Sequence, residues 1–132
     1  MTFSVEHIGL AAVDPQALKD WYVRVLDAVL VFSNGNQPPA FLLRLAGGLL
    51  LEIYPSDSSL EQTRRNGLAG WRHLALRVDS IEAARDWLAK RGVEFDPTIK
   101  PAGGGGRVLF FKDLEGNLWH LVERSPDSPI KT

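Results

Sequence analysis

The stretch "EHIGLAAVDPQALKDWYVRVL", Glu6 to Leu26, decides the fold because it carries the signals of two consecutive elements. Its first part is short, apolar and rich in branched residues, which predicts a β-strand. Asp14 then offers a capping side chain, and Pro15 suits the first helical position, where an N–H has no partner in any case. The apolar stripe that follows predicts an amphipathic helix with Trp21 in the core.

The same pattern returns 66 residues later in "RHLALRVDSIEAARDWLAKRGVEF", Arg72 to Phe95. The offset superposes identical residues along the strand and the helix: His7 on His73, Leu10 on Leu76, Ala17 on Ala83, Asp20 on Asp86 and Trp21 on Trp87. Two residues are candidate caps of the second helix, Asp79 by its capping-box spacing to a glutamate, and Ser80. The repeat predicts two copies of one structural module, with Trp87 in the second core.

Each copy continues into a hairpin. "AFLLRLAGGLLLEIY" turns at Gly47-Gly48, and "RVLFFKDLEGNLWHLVE" turns between Asp113 and Asn117. A weaker strand precedes each hairpin, at Ala28–Ser33 and at Val93–Phe95. We therefore predict an α+β fold with two βαβββ modules in a single domain, 1–125. The expected parts are module 1 at about 3–55, a linker at 56–70, module 2 at about 71–124 with its most flexible stretch at Lys100–Gly106, and a flexible tail at 125–132.

Composition narrows the classes of function. The chain has 132 residues, is 45% hydrophobic and 23% charged, and carries a formal net charge of -1, which gives no electrostatic reason to expect nucleic acid as a partner. No apolar run approaches the roughly 20 residues that span a bilayer, so no membrane partner is expected. With no cysteine, thiolate metal sites are excluded and a reducing cytoplasm is the expected location.

The last strand holds two candidate functional side chains, and the repeat selects between them. When the hairpins are aligned at Gly48 and Gly116, Glu52 and His120 each follow four residues later. Side chains alternate between the faces of a strand, so His120 and Glu123 point to opposite sides. We predict that His120, and not Glu123, faces the site.

Four candidate metal ligands result, His7 and His73 on the first strands of the modules and Glu52 and His120 on the last. Three imidazoles and a carboxylate suit Zn²⁺, Ni²⁺, Co²⁺, Fe²⁺ or Mn²⁺. A single histidine in a strand is more often a core or surface residue than a ligand. Here all three histidines of the chain fall on repeat-related positions, and a carboxylate within the apolar "LLLEIY" needs a partner, which favours the metal site.

From about Val5 to Glu123, the sequence resembles the vicinal oxygen chelate superfamily, the group of glyoxalase I, bleomycin-resistance proteins and extradiol dioxygenases. The resemblance rests on "EHIGLAAVDPQALKDWYVRVL", "GGLLLEIY", "RHLALRVDSIEAARDWLAKRGVEF" and "FFKDLEGNLWHLVE". It implies a curled mixed sheet enclosing a cleft with one divalent metal ion. The family's ligand positions fall on His7, Glu52, His73 and His120. It also implies a homodimer, sometimes with modules shared between chains.

The resemblance leaves the reaction open. In glyoxalase I the position matched by His120 is normally a glutamate that moves the substrate proton, whereas here Glu52 is the only carboxylate of the four. Lactoylglutathione lyase and methylmalonyl-CoA epimerase activities are therefore disfavoured. The expected function is a metal-dependent, glyoxalase-like lyase or isomerase acting on a small oxygenated substrate that chelates the metal. The alternatives are a non-catalytic, ligand-sequestering protein of the bleomycin-resistance type and a small dioxygenase.

Four residues have expected roles in catalysis or substrate binding. Glu52 is the candidate general base, and His120 is the second candidate. Arg77 shares a strand face with His73 and is a candidate for binding a substrate carboxylate, although a strand-end arginine more often reaches into solvent. Tyr54 shares the face of Glu52 and is a candidate hydrogen-bond donor to substrate, with packing as the simpler alternative.

Overall fold

The computed structural model describes residues 1–58 and 65–131, which leaves 59–64 of the predicted linker and Thr132 outside the described residues. The chain divides into two compact units, Met1–Leu60 and Glu61–Thr132. Module 1, in the first unit, contains β1 (His7–Ala12), α1 (Pro15–Leu26), β2 (Val29–Ser33), β3 (Phe41–Arg44) and β4 (Leu50–Pro55). Module 2, in the second unit, contains β5 (His73–Arg77), α2 (Ile81–Ala89), β6 (Lys100–Pro101), β7 (Arg107–Lys112) and β8 (Leu118–Glu123).

Each module forms its own four-stranded mixed sheet, and the two sheets have the same topology. The strand orders are β1-β4-β3-β2 and β5-β8-β7-β6. The first strand of each module pairs in parallel with the last, while the hairpins are antiparallel. The predicted α+β fold of two βαβββ modules is confirmed. The mixed sheet expected of the fold is present as two four-stranded sheets, one in each module, and neither is closed.

The helices begin where their capping side chains place them. The Asp14 carboxylate accepts a hydrogen bond from the Ala17 N–H at 3.0 Å, and Pro15 occupies the first turn of α1. Ser80 caps α2, with its Oγ accepting from the Ala83 N–H at 3.2 Å. Of the two candidate caps of α2, Ser80 is therefore the one used.

Each helix packs on the face of its sheet that lies opposite the candidate ligands. The core of module 1 is built from apolar side chains of α1, β3 and β4, including Leu18, Tyr22, Val25, Leu43, Leu51 and Ile53. The core of module 2 is built in the same way from α2, β7 and β8, including Ile81, Leu88, Leu109, Phe111, Trp119 and Leu121. Trp21 is buried as predicted, but Trp87 is 43% exposed, with the Arg91 guanidinium stacked on its ring at 3.4 Å.

The third strand of module 2 lies later in the chain than predicted. Val93–Phe95 forms no strand, because the Val93 N–H closes the end of α2 on the Leu88 carbonyl and only Phe95 bridges to Phe111. The edge strand is β6, within the segment expected to be the most flexible. None of the described helices is long and apolar enough to cross a membrane.

The turn between β6 and β7 is bonded to the segment that follows β8. Arg124 donates to the Gly103 carbonyl at 2.6 Å, and the buried Ser128 hydroxyl donates to the Gly104 carbonyl. Gly106 has φ of 112°, and a Cβ there would collide with the Glu123 carbonyl oxygen, so only glycine fits. The segment predicted to be a flexible tail thus supplies Ser128 to this turn.

Candidate metal centre

Module 1 brings His7 and Glu52 together on one face of its sheet. In the parallel β1–β4 pair, His7 lies opposite Leu50 and Gly9 lies opposite Glu52, so the two side chains are diagonal neighbours. The His7 Nε2 to Glu52 Oε2 distance is 3.9 Å, and the side chains are 37% and 39% exposed. This pair of donors is thus open to solvent and close together.

Module 2 repeats this arrangement with His73 and His120. His73 lies opposite Leu118 and Ala75 lies opposite His120 in the parallel β5–β8 pair. The register confirms that His120 is the structural equivalent of Glu52. The centroids of the two imidazole rings are 4.7 Å apart, and His120 is only 7% exposed.

Glu123 lies on the opposite face of β8 and has a structural role. Its carboxylate accepts from the Ile81 N–H at the start of α2 at 2.9 Å and pairs with Arg107 at 2.9 Å. These bonds hold the pKa of Glu123 below its ordinary value. Arg107 also binds Glu82 and lowers the pKa of that carboxyl to about 2. Glu123 is therefore bound on the helix side of β8, away from the face that carries His120.

The three histidines share one hydrogen-bonding arrangement. Each Nδ1 faces an oxygen that can only accept: Glu6 Oε1 at 2.9 Å from His7, Asn66 Oδ1 at 2.7 Å from His73, and the Leu121 carbonyl at 3.2 Å from His120. Each Nδ1 therefore carries the proton in the neutral ring, which leaves a lone pair on Nε2. Metal-binding histidines are typically held in this way by an outer acceptor.

The environment of His120 favours its neutral form. Burial is the main cause that lowers the pKa of His120, and electrostatic interactions with His73 and Arg124 lower it further. The hydrogen bond to the Leu121 carbonyl acts in the opposite direction. A neutral imidazole is the form that binds a metal.

Phe110 lies beside both candidate ligands of module 2, and the sequence reasoning missed it. It lies opposite His120 in the β7–β8 pair, on the same face. Its ring centroid is 4.9 Å from that of His120 and 5.7 Å from that of His73, the latter edge to face. The three rings form one cluster, so Phe110 restricts the orientation of both imidazoles. The sequence signal that could have identified Phe110 is the hairpin itself, because pairing the two strands about their turn puts Phe110 opposite His120.

The two predicted substrate-binding residues lie on the expected faces. Arg77 is exposed on β5, and its guanidinium donates to the Ile130 carbonyl at 3.3 Å. Tyr54 is 38% exposed, and its ring lies across Gly9, where an added Cβ would be 3.3 Å from Tyr54 Cε1. Gly9 therefore gives Tyr54 room beside Glu52.

The donor atoms of His7 and Glu52 fit a divalent cation in kind and in spacing. Two donors at about 2.1 Å from one ion are at most about 4.2 Å apart, and the His7–Glu52 pair at 3.9 Å is within this limit. Within residues 1–58 and 65–131, no group of three or more His, Asp or Glu side chains is placed to hold a metal ion. Each module thus offers two donors of a set that needs three or four.

Comparison with known proteins identifies the family. The model of the Glyoxalase/Bleomycin resistance protein/Dioxygenase superfamily matches residues 4–121. The chain belongs to this superfamily. Among relatives of this superfamily member, YwkD of Bacillus subtilis is 28% identical over 124 residues, 92% of this chain and 97% of YwkD. The fosfomycin resistance protein FosX of Listeria monocytogenes is 27% identical over 136 residues, 99% of this chain and 97% of FosX.

Solved structures agree on the superfamily fold. A glyoxalase family protein from Enterococcus faecalis matches with a TM-score of 0.76 and 28% identity, over 91% of this chain and 97% of that one. A mutant of FosX from Listeria monocytogenes in complex with Mn(II) and 1S,2S-dihydroxypropylphosphonic acid matches with a TM-score of 0.71 and 22% identity, over 96% of this chain and 94% of that one. The FosX structure supports the fold, and its Mn(II) shows that a member of the superfamily binds a divalent metal.

Proposed function

We propose that the protein is a metal-dependent, glyoxalase-like enzyme of the lyase or isomerase type that acts on a small oxygenated substrate. The observation that carries this proposal is the pairing of His7 with Glu52 and of His73 with His120 at equivalent register positions. A four-donor set of three imidazoles and one carboxylate suits Zn²⁺, Ni²⁺, Co²⁺, Fe²⁺ or Mn²⁺. Two donors are too few to hold a metal ion, so the proposal requires both pairs to bind the same ion.

The reaction follows from what the side chains on these faces can do. A bound divalent metal supplies Lewis-acid stabilisation of negative charge on a chelating substrate oxygen. Glu52 is the proposed general base, because it is the carboxylate of the set and is partly exposed to solvent. His120, neutral through burial, is the second candidate for moving the proton.

Two further side chains are proposed to bind substrate. Arg77 lies two residues beyond Ala75 on the face of His73 and would pair with an anionic group, exchanging its bond to the Ile130 carbonyl for that group. Tyr54 would donate its hydroxyl to a substrate oxygen next to Glu52. A substrate with vicinal oxygens and one anionic group fits this set.

The similarity to FosX gives the first compounds to test. A mutant of FosX binds 1S,2S-dihydroxypropylphosphonic acid, which has a phosphonate beside hydroxyl groups. We therefore propose phosphonates with a neighbouring oxygen, including fosfomycin, as candidate substrates, together with α-hydroxy and α-keto acids. We also propose a cytoplasmic homodimer, in which the two donor pairs of one centre come from one chain or from two.

Metal stoichiometry is the decisive experiment. We expect tag-free protein to bind about one divalent ion per chain, and His7→Ala and His73→Ala each to abolish binding. Glu123→Gln is the matched control, because Glu123 lies on the opposite face of β8 and bonds to Ile81. Retention of half the metal in either histidine variant would contradict a shared ion.

The same preparation separates the catalytic proposal from its alternatives. Elimination or isomerisation of one of these compounds by the metal-loaded protein, lost in Glu52→Gln, supports a lyase or isomerase, whereas addition of water to the epoxide of fosfomycin would indicate a hydrolase. Oxygen consumption with a catechol would indicate a dioxygenase instead. Tight binding of an aromatic or glycopeptide compound without metal or turnover would indicate a sequestering protein.

A further inference from the structure

The loop before β5 places one amide side chain against a candidate metal ligand. Asn66 Oδ1 lies 2.7 Å from His73 Nδ1, across seven residues of chain. Within the loop, the Leu68 N–H donates to the Arg65 carbonyl at 3.5 Å. Of the three outer acceptors of the histidines, Asn66 is the one that comes from a separate loop.

We propose that Asn66 is a positioning residue that fixes the tautomer and the ring orientation of His73. An amide oxygen only accepts, so the bond requires the proton on Nδ1 and leaves the Nε2 lone pair available for a divalent cation. His73 is exposed, and an exposed imidazole without this bond can carry its proton on either nitrogen.

Packing explains why one hydrogen bond is sufficient. The His73 ring packs edge to face against Phe110, with the ring centroids 5.7 Å apart, and against His120, with the centroids 4.7 Å apart. These two contacts restrict the position of the His73 ring. Asn66 supplies a directional contact from the loop. Together they hold one ring orientation, whereas the ring contacts alone do not distinguish Nδ1 from Nε2.

The assignment can be tested in the metal-free protein. Long-range ¹H–¹⁵N NMR spectra of the histidine rings at pH 8 report which nitrogen carries the proton. We expect Nδ1–H for His73 in the wild type and in Asn66→Asp, which keeps an acceptor, and a shift towards Nε2–H in Asn66→Ala. Asn36→Ala is the matched control, because the bond of Asn36 to Asn34 uses its backbone N–H.

Metal titration gives a second readout, which rests on the proposed function. Loss of an outer partner typically weakens metal binding by about 10–100-fold, so Asn66→Ala should lose affinity by that factor while Asn66→Asp and Asn36→Ala bind as the wild type does. A His73 ring that is Nε2–H in the wild type, or unchanged in Asn66→Ala, overturns the proposal. Absence of any metal binding would overturn the proposed function and leave the tautomer result standing.

Discussion

The proposed metal centre predicts a measurable gain in thermal stability. Addition of a divalent cation at 100 times its dissociation constant should stabilise the folded protein by about 2.7 kcal/mol, because only the folded chain gathers the ligands. For a chain of 132 residues, 1 kcal/mol corresponds to about 3–5 °C in melting temperature. We therefore expect the melting temperature to rise by about 8–14 °C over that of protein stripped with EDTA.

The position of His120 on β8 predicts which variant loses this gain. Removal of the imidazole in His120→Ala should weaken binding at least 100-fold, which at the same cation concentration leaves about 0.4 kcal/mol, or about 1–2 °C. Glu123→Gln should start from a lower melting temperature, since it weakens the bonds to Ile81 and Arg107, yet keep the full gain. Differential scanning fluorimetry with and without the cation measures both quantities.

Two results would refute this reasoning. An unchanged melting temperature at millimolar concentrations of all five candidate cations would mean that the folded chain binds none of them usefully. A gain that is kept in His120→Ala and lost in Glu123→Gln would mean that the wrong face of β8 had been assigned to the site.

Three further predictions concern the surroundings of the site. Phe110→Ala should lower the free energy of unfolding in urea by about 1–3 kcal/mol, because two ring contacts worth about 0.5–1.5 kcal/mol each are lost; Phe110→Leu should lose less. The pKa of Glu82 is lowered from 4.5 to about 2 by its bond to Arg107, so the stability from this pair is complete above pH 4.5 and is lost as the pH falls towards 2. Glu82→Gln should flatten the melting temperature over that range, and an unchanged slope would contradict the assignment. Ser128→Ala should speed amide exchange and proteolysis at the turn around Gly104 without changing metal binding, and equal rates would show that the bond does not hold the turn.

The register of the site was predictable because it follows from a repeat. The longer second hairpin turn adds two residues, and alignment at the turn glycines accounts for this by placing His120 on Glu52. The pairings Gly9–Glu52 and Ala75–His120 then follow from parallel geometry. Alternation of side chains along β8 assigns Glu123 to the helix side, where it binds the start of α2. Strand register and the face on which a side chain lies can therefore be predicted from sequence periodicity and from the internal repeat.

Contacts between loops and elements were not predictable in the same way. Asn66 reaches His73 from an irregular segment, and no periodicity relates the two positions. The edge strand β6 lies in a glycine-rich stretch of low strand propensity, and pairing with β7 overrides that propensity. Trp87 belongs to the apolar stripe of α2, but it packs against the Arg91 guanidinium and stays partly exposed. The stripe predicts which side of the helix faces the sheet, and it does not predict how deeply each side chain on that side is buried.

Each of the two described sheets presents two of the four candidate donors on one face, and this division bears on the nature of the proposed centre. Most of their neighbours on the same faces have apolar side chains, including Leu42 and Leu50 in module 1 and Phe110, Leu118 and Val122 in module 2. One module thus gives a nitrogen and an oxygen, and the other gives two nitrogens. A site that combines them has three imidazoles to one carboxylate, which favours zinc, nickel, cobalt or iron over the harder magnesium and calcium ions. In the proposed centre, an imidazole at His120 would therefore act first on the choice of metal, and Glu52 would be the carboxylate ligand that could also serve as a base.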